Sequence, residues 1–199
     1  MTIAIPDDAG EFFERFLPEQ FLRERHRYPG ADSPGAALFE IIDVGWWGIK
    51  IENGELAVRR GKPDDTMLRV TLPEEDFRAV FVERTRREID ASGDLSDDSR
   101  DAFKPLFVDA NKAGVIAGSI ADAGQTLAVY LRDDGAKREL LITPGPGERT
   151  EPRASITMSL GDFLAMVGGR KNPVMLFLRG KLKIRGDLTY AMRMKALLS

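Results

Sequence analysis

A strand-then-helix pattern occurs twice in this chain of 199 residues, and it limits the possible folds more than any other feature of the sequence. The first copy is LRVTLPEEDFRAVF at residues 68–81, and the second is ASITMSLGDFLAMV at residues 154–167; they align without a gap at an offset of 86. In each copy the apolar residues alternate as in a strand and then take helical spacing. The identical pairs are Thr71/Thr157, Asp76/Asp162, Phe77/Phe163 and Ala79/Ala165. A period this long, present twice, predicts two related units in tandem and not a solenoid.

A different chemical device marks the start of the helix in each copy. Ser159 and Asp162 form an S-x-x-D capping pattern in the second copy. Pro73 stands at the corresponding place in the first copy, as an N1 proline would, and acidic residues follow it in the first helical turn. Because different residues begin a helix at the same aligned position, the two helix starts are better evidence for a duplicated architecture than the identical residue pairs alone.

Weaker matches extend the repeat to the boundaries of two units. Asn53-Gly54 and Asp134-Gly135 are hairpin signals because both turn positions take positive φ, and we expect the two hairpins to correspond. We place a degenerate first unit at residues 1–92, a linker at 93–96 and the second unit at 97–199. The first unit has no counterpart of the segment LFLRGKLKIRGDLTYAMRMKALLS that ends the chain, so the units are related but unequal.

Groups of strands and helices follow one another in the second unit. We predict helices at 97–112, 160–168, 173–179 and from 188 onward, with strands at 114–121, 126–133, 139–143, 154–159 and 181–186. Runs of strands with helices grouped around them indicate an α+β fold, with the helices on one face of a mainly antiparallel sheet. In the first unit, Trp46 and Trp47 are neighbours, so strand alternation turns one of the two rings inward.

Charge is distributed unevenly along the chain. Residues 170–199 carry eight Lys and Arg against one acid, about +7, which leaves about −10 for residues 1–169 of a chain whose net charge is −3. This basic tail either packs against the acidic body or meets an anionic lipid surface. Its one tyrosine offers no series of platforms for stacking bases, so we expect no nucleic-acid partner.

The end of the chain combines a basic strand with an unusually apolar helix. In KLKIRG, residues 181–186, alternation places Leu182 and Ile184 on one side and the cations on the other. Asp187 is placed to cap a final helix whose apolar residues cover an arc of roughly 220°, where about 100° is typical. Five of the seven methionines lie in the last 42 positions, which fits either ordinary core packing or an adaptable pocket wall.

One long stretch resembles a known family. SLGDFLAMVGGRKNPVMLFLRGKLKIRGDLTYAMRMKALL, residues 159–198, is similar to the C-terminal half of the sterol carrier protein (type two) lipid-binding domain, with DF, G-x-x-N-P, GKLKI, GD and AM in the same order. The resemblance covers residues 97–199. Residues 1–92 share it only through the internal repeat, and because GKLKI is missing there, the resemblance does not imply a lipid tunnel in the first unit.

The resemblance implies a fold and a binding site. The expected fold is a five-stranded, mostly antiparallel sheet with helices packed on one face, enclosing an apolar tunnel between the sheet and the C-terminal helices. Such tunnels accept fatty acids, fatty acyl thioesters, sterols or phospholipids. Carried over to matching positions, the ligand-binding wall comprises Phe163, Met166, Val167, Met175, Phe177, Leu178, Leu182 and Ile184. The lid comprises Tyr190, Met194 and Leu197, and the candidates for contact with an anionic headgroup are Lys181, Lys183 and Arg185.

Two functional hypotheses remain open, because a fold does not settle function. The first is a non-enzymatic lipid or fatty acyl carrier, and the second is an interaction or dimerisation module, accessory to a lipid-metabolic enzyme, whose tunnel is filled by its own side chains. We predict no catalytic residue, since the lone His26 lies among charges and no nucleophile or phosphate-binding motif occurs. We predict no cofactor and no metal, because the acidic run at residues 90–101 lacks the glycine and glutamate of a calcium loop.

The expected partners and location follow from the same features. We expect a lipid or fatty acyl ligand, transient contact with an anionic membrane, and either a homodimer or a partner enzyme. The chain has no cysteine, and we find neither a signal-peptide pattern nor an apolar run long enough to span a bilayer. These observations predict a cytoplasmic protein.

Overall fold

The computed structural model describes residues 6–27, 32–101, 108, 113–114, 116 and 123–194. Eight strands occur in these residues: β1 (Ala36–Ile41), β2 (Gly45–Glu52), β3 (Glu55–Arg60), β4 (Thr66–Leu72), β5 (Thr126–Asp133), β6 (Ala136–Pro144), β7 (Pro152–Ser159) and β8 (Lys183–Gly186). They form one sheet in the order β3-β2-β1-β4-β6-β5-β7-β8. We call β1–β4 with their helices the first half of the molecule, and β5–β8 with theirs the second half.

Short helices connect and flank these strands. The first half contains α1 (Ala9–Glu11), a π-helical segment (Phe12–Phe16), α2 (Leu17–Arg23), a 3-10 turn (Arg25–Arg27), α3 (Glu74–Phe77), a second π-helical segment (Arg78–Glu83) and α4 (Arg84–Ser92). α5 (Asp97–Asp101) follows, and the second half contains α6 (Leu160–Val167), α7 (Pro173–Leu178) and α8 (Leu188–Met194). In the described residues, no helix is both long enough and apolar enough to cross a bilayer.

The two halves share a pairing pattern. β1 pairs antiparallel with β2 and parallel with β4, and β5 pairs in the same way with β6 and β7. The register shifts at the start of the parallel pair in both halves, after Ala36 and after Thr126. By this pattern the β5–β6 hairpin corresponds to β1–β2, whereas Asn53-Gly54 joins β2 to β3. The expected correspondence of the two hairpin turns is therefore wrong. Turn residues indicate the local φ angles but not which strands of the sheet the turn connects.

The halves are joined through β4 and β6, which pair antiparallel from Leu68↔Pro144 to Thr71↔Leu141. Buried Asp76 strengthens this junction by accepting hydrogen bonds from the Glu139 backbone N–H at 2.7 Å and from Arg138 Nη1 at 3.4 Å. The predicted five-stranded, mostly antiparallel sheet is therefore wrong: the sheet has eight strands and is mixed. Alternation within a strand identifies neither its neighbours nor their direction, so the sequence pattern did not contain this information.

Most predicted elements of the second half agree with the structure, including β5, β6, β7, α6, α7 and α8. One exception is β8, which was predicted at 181–186 and begins only at Lys183, and the others lie before β5. Val108 is outside any helix, so the predicted helix 97–112 is wrong there, and it is confirmed only over Asp97–Asp101. Gly114 and Ile116 are helical, so the predicted strand 114–121 is wrong at those positions. The other residues of both predictions lie outside the described part of the chain. A short apolar run does not distinguish a strand from a buried helix.

An aromatic cluster fills the core of the first half. Phe13 stacks on Trp47 with ring centroids 5.1 Å apart, and on Phe77 at 5.4 Å. Phe12 meets Phe77 edge-on at 5.2 Å. The Trp47 indole N–H donates to Glu14 Oε1 at 2.9 Å, which satisfies its one polar group. The prediction that one of the paired tryptophans points inward is confirmed, because Trp47 is buried and Trp46 is exposed.

Candidate functional site

A side-chain cap begins the helix in the second copy of the repeat. The Ser159 side chain accepts a hydrogen bond from the Asp162 N–H at 3.1 Å, so the predicted S-x-x-D cap at the start of α6 is confirmed. Lys171 Nζ lies 2.6 Å from Asp162 Oδ1, and this hydrogen bond, with one from Ser159, lowers the pKa of Asp162 although its burial acts in the opposite direction. Pro73, in the first copy, occupies the cap position itself, one residue earlier than expected.

α7 presents apolar side chains to solvent. Asn172 caps this helix by accepting from the Val174 N–H at 2.8 Å, and Pro173 takes the first helical position, where its missing N–H is not needed. After one and a half turns the chain folds back, with the Lys181 and Leu182 N–H groups donating to the Leu176 carbonyl. Leu176 is the buried anchor of α7, while Phe177 is 42% exposed and Leu178 is 70% exposed.

β8 follows as the outermost strand of the sheet. It pairs antiparallel with β7, so that Ile184 lies opposite Ile156. The predicted alternation is confirmed, since Ile184 is half-buried while Lys183 and Arg185 are exposed. The strand ends at Gly186, whose φ is +82° and where an added Cβ would meet the Arg153 carbonyl oxygen at 2.5 Å. Only glycine fits both conditions.

Asp187 then begins α8. Its Oδ1 accepts from the Tyr190 N–H at 2.9 Å, which confirms the predicted cap, and its Oδ2 lies 2.7 Å from Arg153 Nη2. The hydrogen bond from the Tyr190 backbone N–H lowers the pKa of Asp187 most, and the hydrogen bond from the Arg153 side chain lowers it further. On the helix, Tyr190 and Met194 are buried, and the Tyr190 hydroxyl donates to the Gln125 carbonyl at 2.7 Å.

A small apolar cavity lies between the end of the sheet and these two helices. Its volume is about 10 Å³, which is the space of about one water molecule. The residues that line it are Ile156, Met166, Pro173, Phe177, Leu182, Ile184, Ala191 and Met192. Four of these residues are buried and Pro173 and Ile184 are half-buried, whereas Phe177 and Met192, at 42% and 38% exposure, cover the cavity from outside. In this conformation the space that the described residues leave between the sheet and these two helices is therefore too small for an alkyl chain.

The predicted ligand-binding residues that the structure describes fall into three groups. Those that line the cavity are Met166, Phe177, Leu182 and Ile184. Those that are buried in the core and do not line it are Phe163, Val167, Tyr190 and Met194. Met175 and Leu178 lie on the surface, and Leu197 lies outside the described residues. The structure thus brings together four of the predicted positions.

Four lining residues were not predicted as ligand contacts: Ile156, Pro173, Ala191 and Met192. Ile156 was identifiable as an inward position of the second repeat copy, and Met192 lay within the apolar arc of the last helix. What the sequence did not reveal is which part of that arc faces the sheet. The structure answers this by burying Ala191 and leaving Met192 half-exposed.

A surface patch adjoins the cavity. We define the apolar patch as Val174, Met175, Phe177, Leu178, Leu188 and Met192, which are all large, apolar and exposed. Its α7 and α8 parts meet at the cavity, because Phe177 and Met192 belong to both. The headgroup candidates Lys181, Lys183 and Arg185 are exposed nearby in sequence, and within the described residues none of their side chains forms a hydrogen bond or ion pair.

Comparison with known proteins gives a family match in the second half of the chain. The family described as "SCP-2 sterol transfer family" matches residues 104–199. The Xenopus laevis "Hydroxysteroid dehydrogenase-like protein 2" is 41% identical over 56 residues, which cover 27% of this chain and 13% of that protein. The human "Sterol carrier protein 2" is 40% identical over 52 residues, which cover 26% of this chain and 10% of that protein. These relatives are matched over a small part of their own length.

One solved structure also shows partial similarity to this chain. The apo form of Sterol Carrier Protein 2 from Yarrowia lipolytica is 25% identical, with a TM-score of 0.32, covering 39% of this chain and 74% of that one. The family match includes the segment that forms the candidate site, from the α6 cap through β8 to α8. Residues 104–199 of this chain are therefore a domain of the SCP-2 sterol transfer family.

Proposed function

We propose that the second half binds a lipid or fatty acyl ligand between the sheet and helices α7 and α8, and transfers it without catalysing a reaction. The observation that carries this proposal is an apolar cavity lining that reaches from two exposed side chains to the buried wall behind them. Phe177 and Met192 are those two side chains, so they stand at the entrance. The match of residues 104–199 to a sterol transfer family supports the same function.

Binding requires the cavity to expand, since about 10 Å³ does not hold an alkyl chain. The covering layer is suited to such a change, because Phe177 and Met192 are held on one side only and methionine adopts many rotamers at low cost. Burying about 15 methylenes of a fatty acyl chain yields roughly 12 kcal/mol gross, at ~0.8 kcal/mol for each. This gain is large enough to offset the displacement of two half-exposed side chains and still give micromolar binding.

The acyl chain determines affinity in this mechanism, and the headgroup determines orientation. A part-exposed ion pair with Lys181 or Arg185 adds only about 0–1 kcal/mol, which is small beside the apolar term. We therefore expect low selectivity among headgroups and stronger selectivity for chain length. Sterols and phospholipids remain possible ligands on the same physical grounds.

Two measurements test the carrier function. Native mass spectrometry of gently purified protein should show a co-purifying acyl lipid, and displacement of a fluorescent fatty acid should be saturable. Met192→Trp, which places a larger ring at the entrance, should weaken binding at least tenfold. Thr189→Trp is the matched control, because Thr189 is exposed on the same helix and does not line the cavity. Equal affinities of the two variants, or no binding by correctly folded protein, would reject the proposal.

The second candidate function is an interaction or dimerisation module, and the closed cavity favours it specifically. Here the protein's own side chains are the permanent filling, and the apolar patch meets a second copy or a lipid-metabolic enzyme. The match to a segment of a hydroxysteroid dehydrogenase-like protein, which is much longer than the matched region, is consistent with an accessory role. Analytical ultracentrifugation at several concentrations separates the two functions, since a stable dimer without acyl binding supports only the second.

The first half serves, in this proposal, as a degenerate related unit without a lipid site. Its pairing pattern and the internal repeat support the relationship, and the aromatic cluster supports the loss of binding. We also expect the protein to work in the cytoplasm, where a chain without cysteine is under no constraint from the reducing environment. Photo-crosslinking with an acyl probe should label peptides of residues 152–194 and leave those of residues 32–92 unlabelled.

A further inference from the structure

A surface segment of α7 and the turn after it combines exposed apolar and cationic groups. Val174 and Leu178 are four residues apart on α7, and Leu188 and Met192 are four residues apart on α8, so each pair lies on one side of its helix. Phe177 and Met192 join these sides across the cavity entrance. Clusters of exposed apolar residues of this kind mark interaction sites on protein surfaces.

The charges beside the patch have one sign. Arg179 follows the patch directly and Lys181 comes two residues later, and both are exposed. Among the described residues, neither side chain forms a hydrogen bond or an ion pair, although the charge of Lys181 contributes at longer range to the low pKa of Asp162. The nearest following acid is Asp187, which is engaged by Arg153. Lys183 and Arg185 alternate with Ile184 along β8, so they project from the other side of the strand.

We propose that the apolar patch, with Arg179 and Lys181 at its border, docks this protein on an anionic phospholipid bilayer with the cavity entrance toward the lipid. This inference rests on the proposed function and deepens it, since it names the surface from which the ligand enters. Charge complementarity selects a bilayer of negative headgroups, because apolar side chains insert while adjacent cations meet the phosphates. Residues 1–169 carry about −10, so an anionic bilayer disfavours orientations that present that part of the chain.

Flotation of the full chain with vesicles tests this proposal. One set of vesicles is phosphatidylcholine alone, and the other is phosphatidylcholine mixed with phosphatidylserine. We expect the wild-type protein to float with the anionic vesicles and to be released by high salt, because salt screens the attraction between exposed charges. Equal recovery on both kinds of vesicle, or no recovery on either, would overturn the proposal.

Two double charge-reversal variants test whether binding to anionic vesicles depends on the position of the cations. Arg179→Glu with Lys181→Glu should reduce the partition onto anionic vesicles about 20-fold, since each cation near such a surface contributes severalfold. Arg132→Glu with Arg149→Glu makes the same change in net charge at exposed positions outside the patch, and it should alter the partition less than about threefold. Equal losses in both double variants would show a net-charge effect and no docking surface.

The apolar component has its own variant and readouts. Val174→Glu with Leu188→Glu leaves the cavity lining intact and places acids in the first turns of two helices, where they are favourable. We expect it to abolish flotation while displacement of a fluorescent fatty acid in vesicle-free buffer is unchanged. If it instead converts a dimer to a monomer and leaves flotation unchanged, the patch is a protein interface and the inference fails. Loss of fatty acid binding in the wild type would reject the proposed function separately.

Discussion

The two halves of this molecule place the same strand-then-helix unit under different covering layers. Val70 and Val80 of the first half align with Ile156 and Met166 of the second, and all four are buried. Over the first half lies the segment Ala9–Arg23, which brings Phe12, Phe13 and Phe16 onto the sheet. Over the second half lie α7 and α8, which contribute Phe177 and Met192 with large exposed fractions. The two halves therefore differ in their covering layers and not in the aligned strand and helix beneath.

This comparison explains why a ligand site is expected in the second half alone. Stacked aromatic rings bury large areas in fixed geometry, so separating them is costly. Methionine and single-sided aromatic contacts give way at lower cost. The opening proposed above therefore costs less in the second half than it would in the aromatic cluster of the first half.

The largest expected difference between the halves comes from truncating one phenylalanine in each. Phe13→Ala should reduce the free energy of unfolding by about 3–5 kcal/mol, because it removes a fully buried ring from the cluster. Phe177→Ala should reduce it by less than about 1 kcal/mol, since that ring is 42% exposed. Urea unfolding followed by far-ultraviolet circular dichroism measures both. A similar loss in both variants would contradict the difference in covering layers.

The aligned aspartates give the next largest contrast. Asp76→Ala should cost about 2–3 kcal/mol, because it leaves the Glu139 N–H and the Arg138 guanidinium without their buried acceptor at the junction of the halves. Asp162→Ala should cost only about 1 kcal/mol, since Ser159 still caps α6 and Lys171 is free to meet solvent. Chemical unfolding of the two variants, measured side by side, would refute this order if Asp162→Ala were the more damaging.

Substitution of two glycines, one before β8 and one at its end, should have a smaller effect on stability. One substitution is the control for the other. Gly180 and Gly186 both have positive φ, at +67° and +82°, so alanine is strained by about 1–2 kcal/mol at each. Only Gly186 lacks room for a Cβ, because the Arg153 carbonyl stands in its place, and nothing lies within 4 Å at Gly180. We expect Gly186→Ala to lower the melting temperature more than Gly180→Ala. Equal melting temperatures would contradict this expectation, because they would mean that the β7–β8 edge moves to make room for the added Cβ.

The smallest expected effect is a local pH dependence of α8. The pKa of Asp187 is lower in the folded protein than its ordinary value of 3.8, so its ionised form stabilises the fold above that pH. This contribution is lost as the pH falls from about 5 toward the folded pKa, when the carboxylate is protonated and releases the Tyr190 N–H. Protection of the Tyr190 amide from hydrogen exchange should decline over this range.

Asp187→Asn supplies the control for that titration, since asparagine caps the helix without titrating. In this variant the protection of the Tyr190 amide should no longer depend on pH through the Asp187 carboxyl. Fluorescence of Trp46 and Trp47, which report only on the first half, should stay constant in both proteins while α8 responds. A simultaneous change of both signals would show that α8 unfolds only with the whole molecule.

Local features of this fold were predictable because they depend on neighbouring residues. The Ser159 and Asp187 caps, the alternation along β8 and the inward Trp47 follow from side-chain chemistry and strand geometry within a few positions. The pairing of β4 with β6 was not predictable, because it joins residues far apart in the sequence and alternation within a strand does not identify its neighbour. Likewise, the periodicity of the last helix gave a wide apolar arc but not its rotation, so it did not show that Tyr190 and Ala191 are buried while Met192 is partly exposed.

The central claim, that the space between the sheet and helices α7 and α8 opens around an alkyl chain, is tested most directly by nuclear magnetic resonance of methionine methyl groups. Protein labelled at these methyls is titrated with palmitate. The account predicts saturable shifts and contacts from the chain to Met166 and Met192, with no change at Met67 in the first half. Saturable binding without any contact to Met166, or no binding at all, would contradict it.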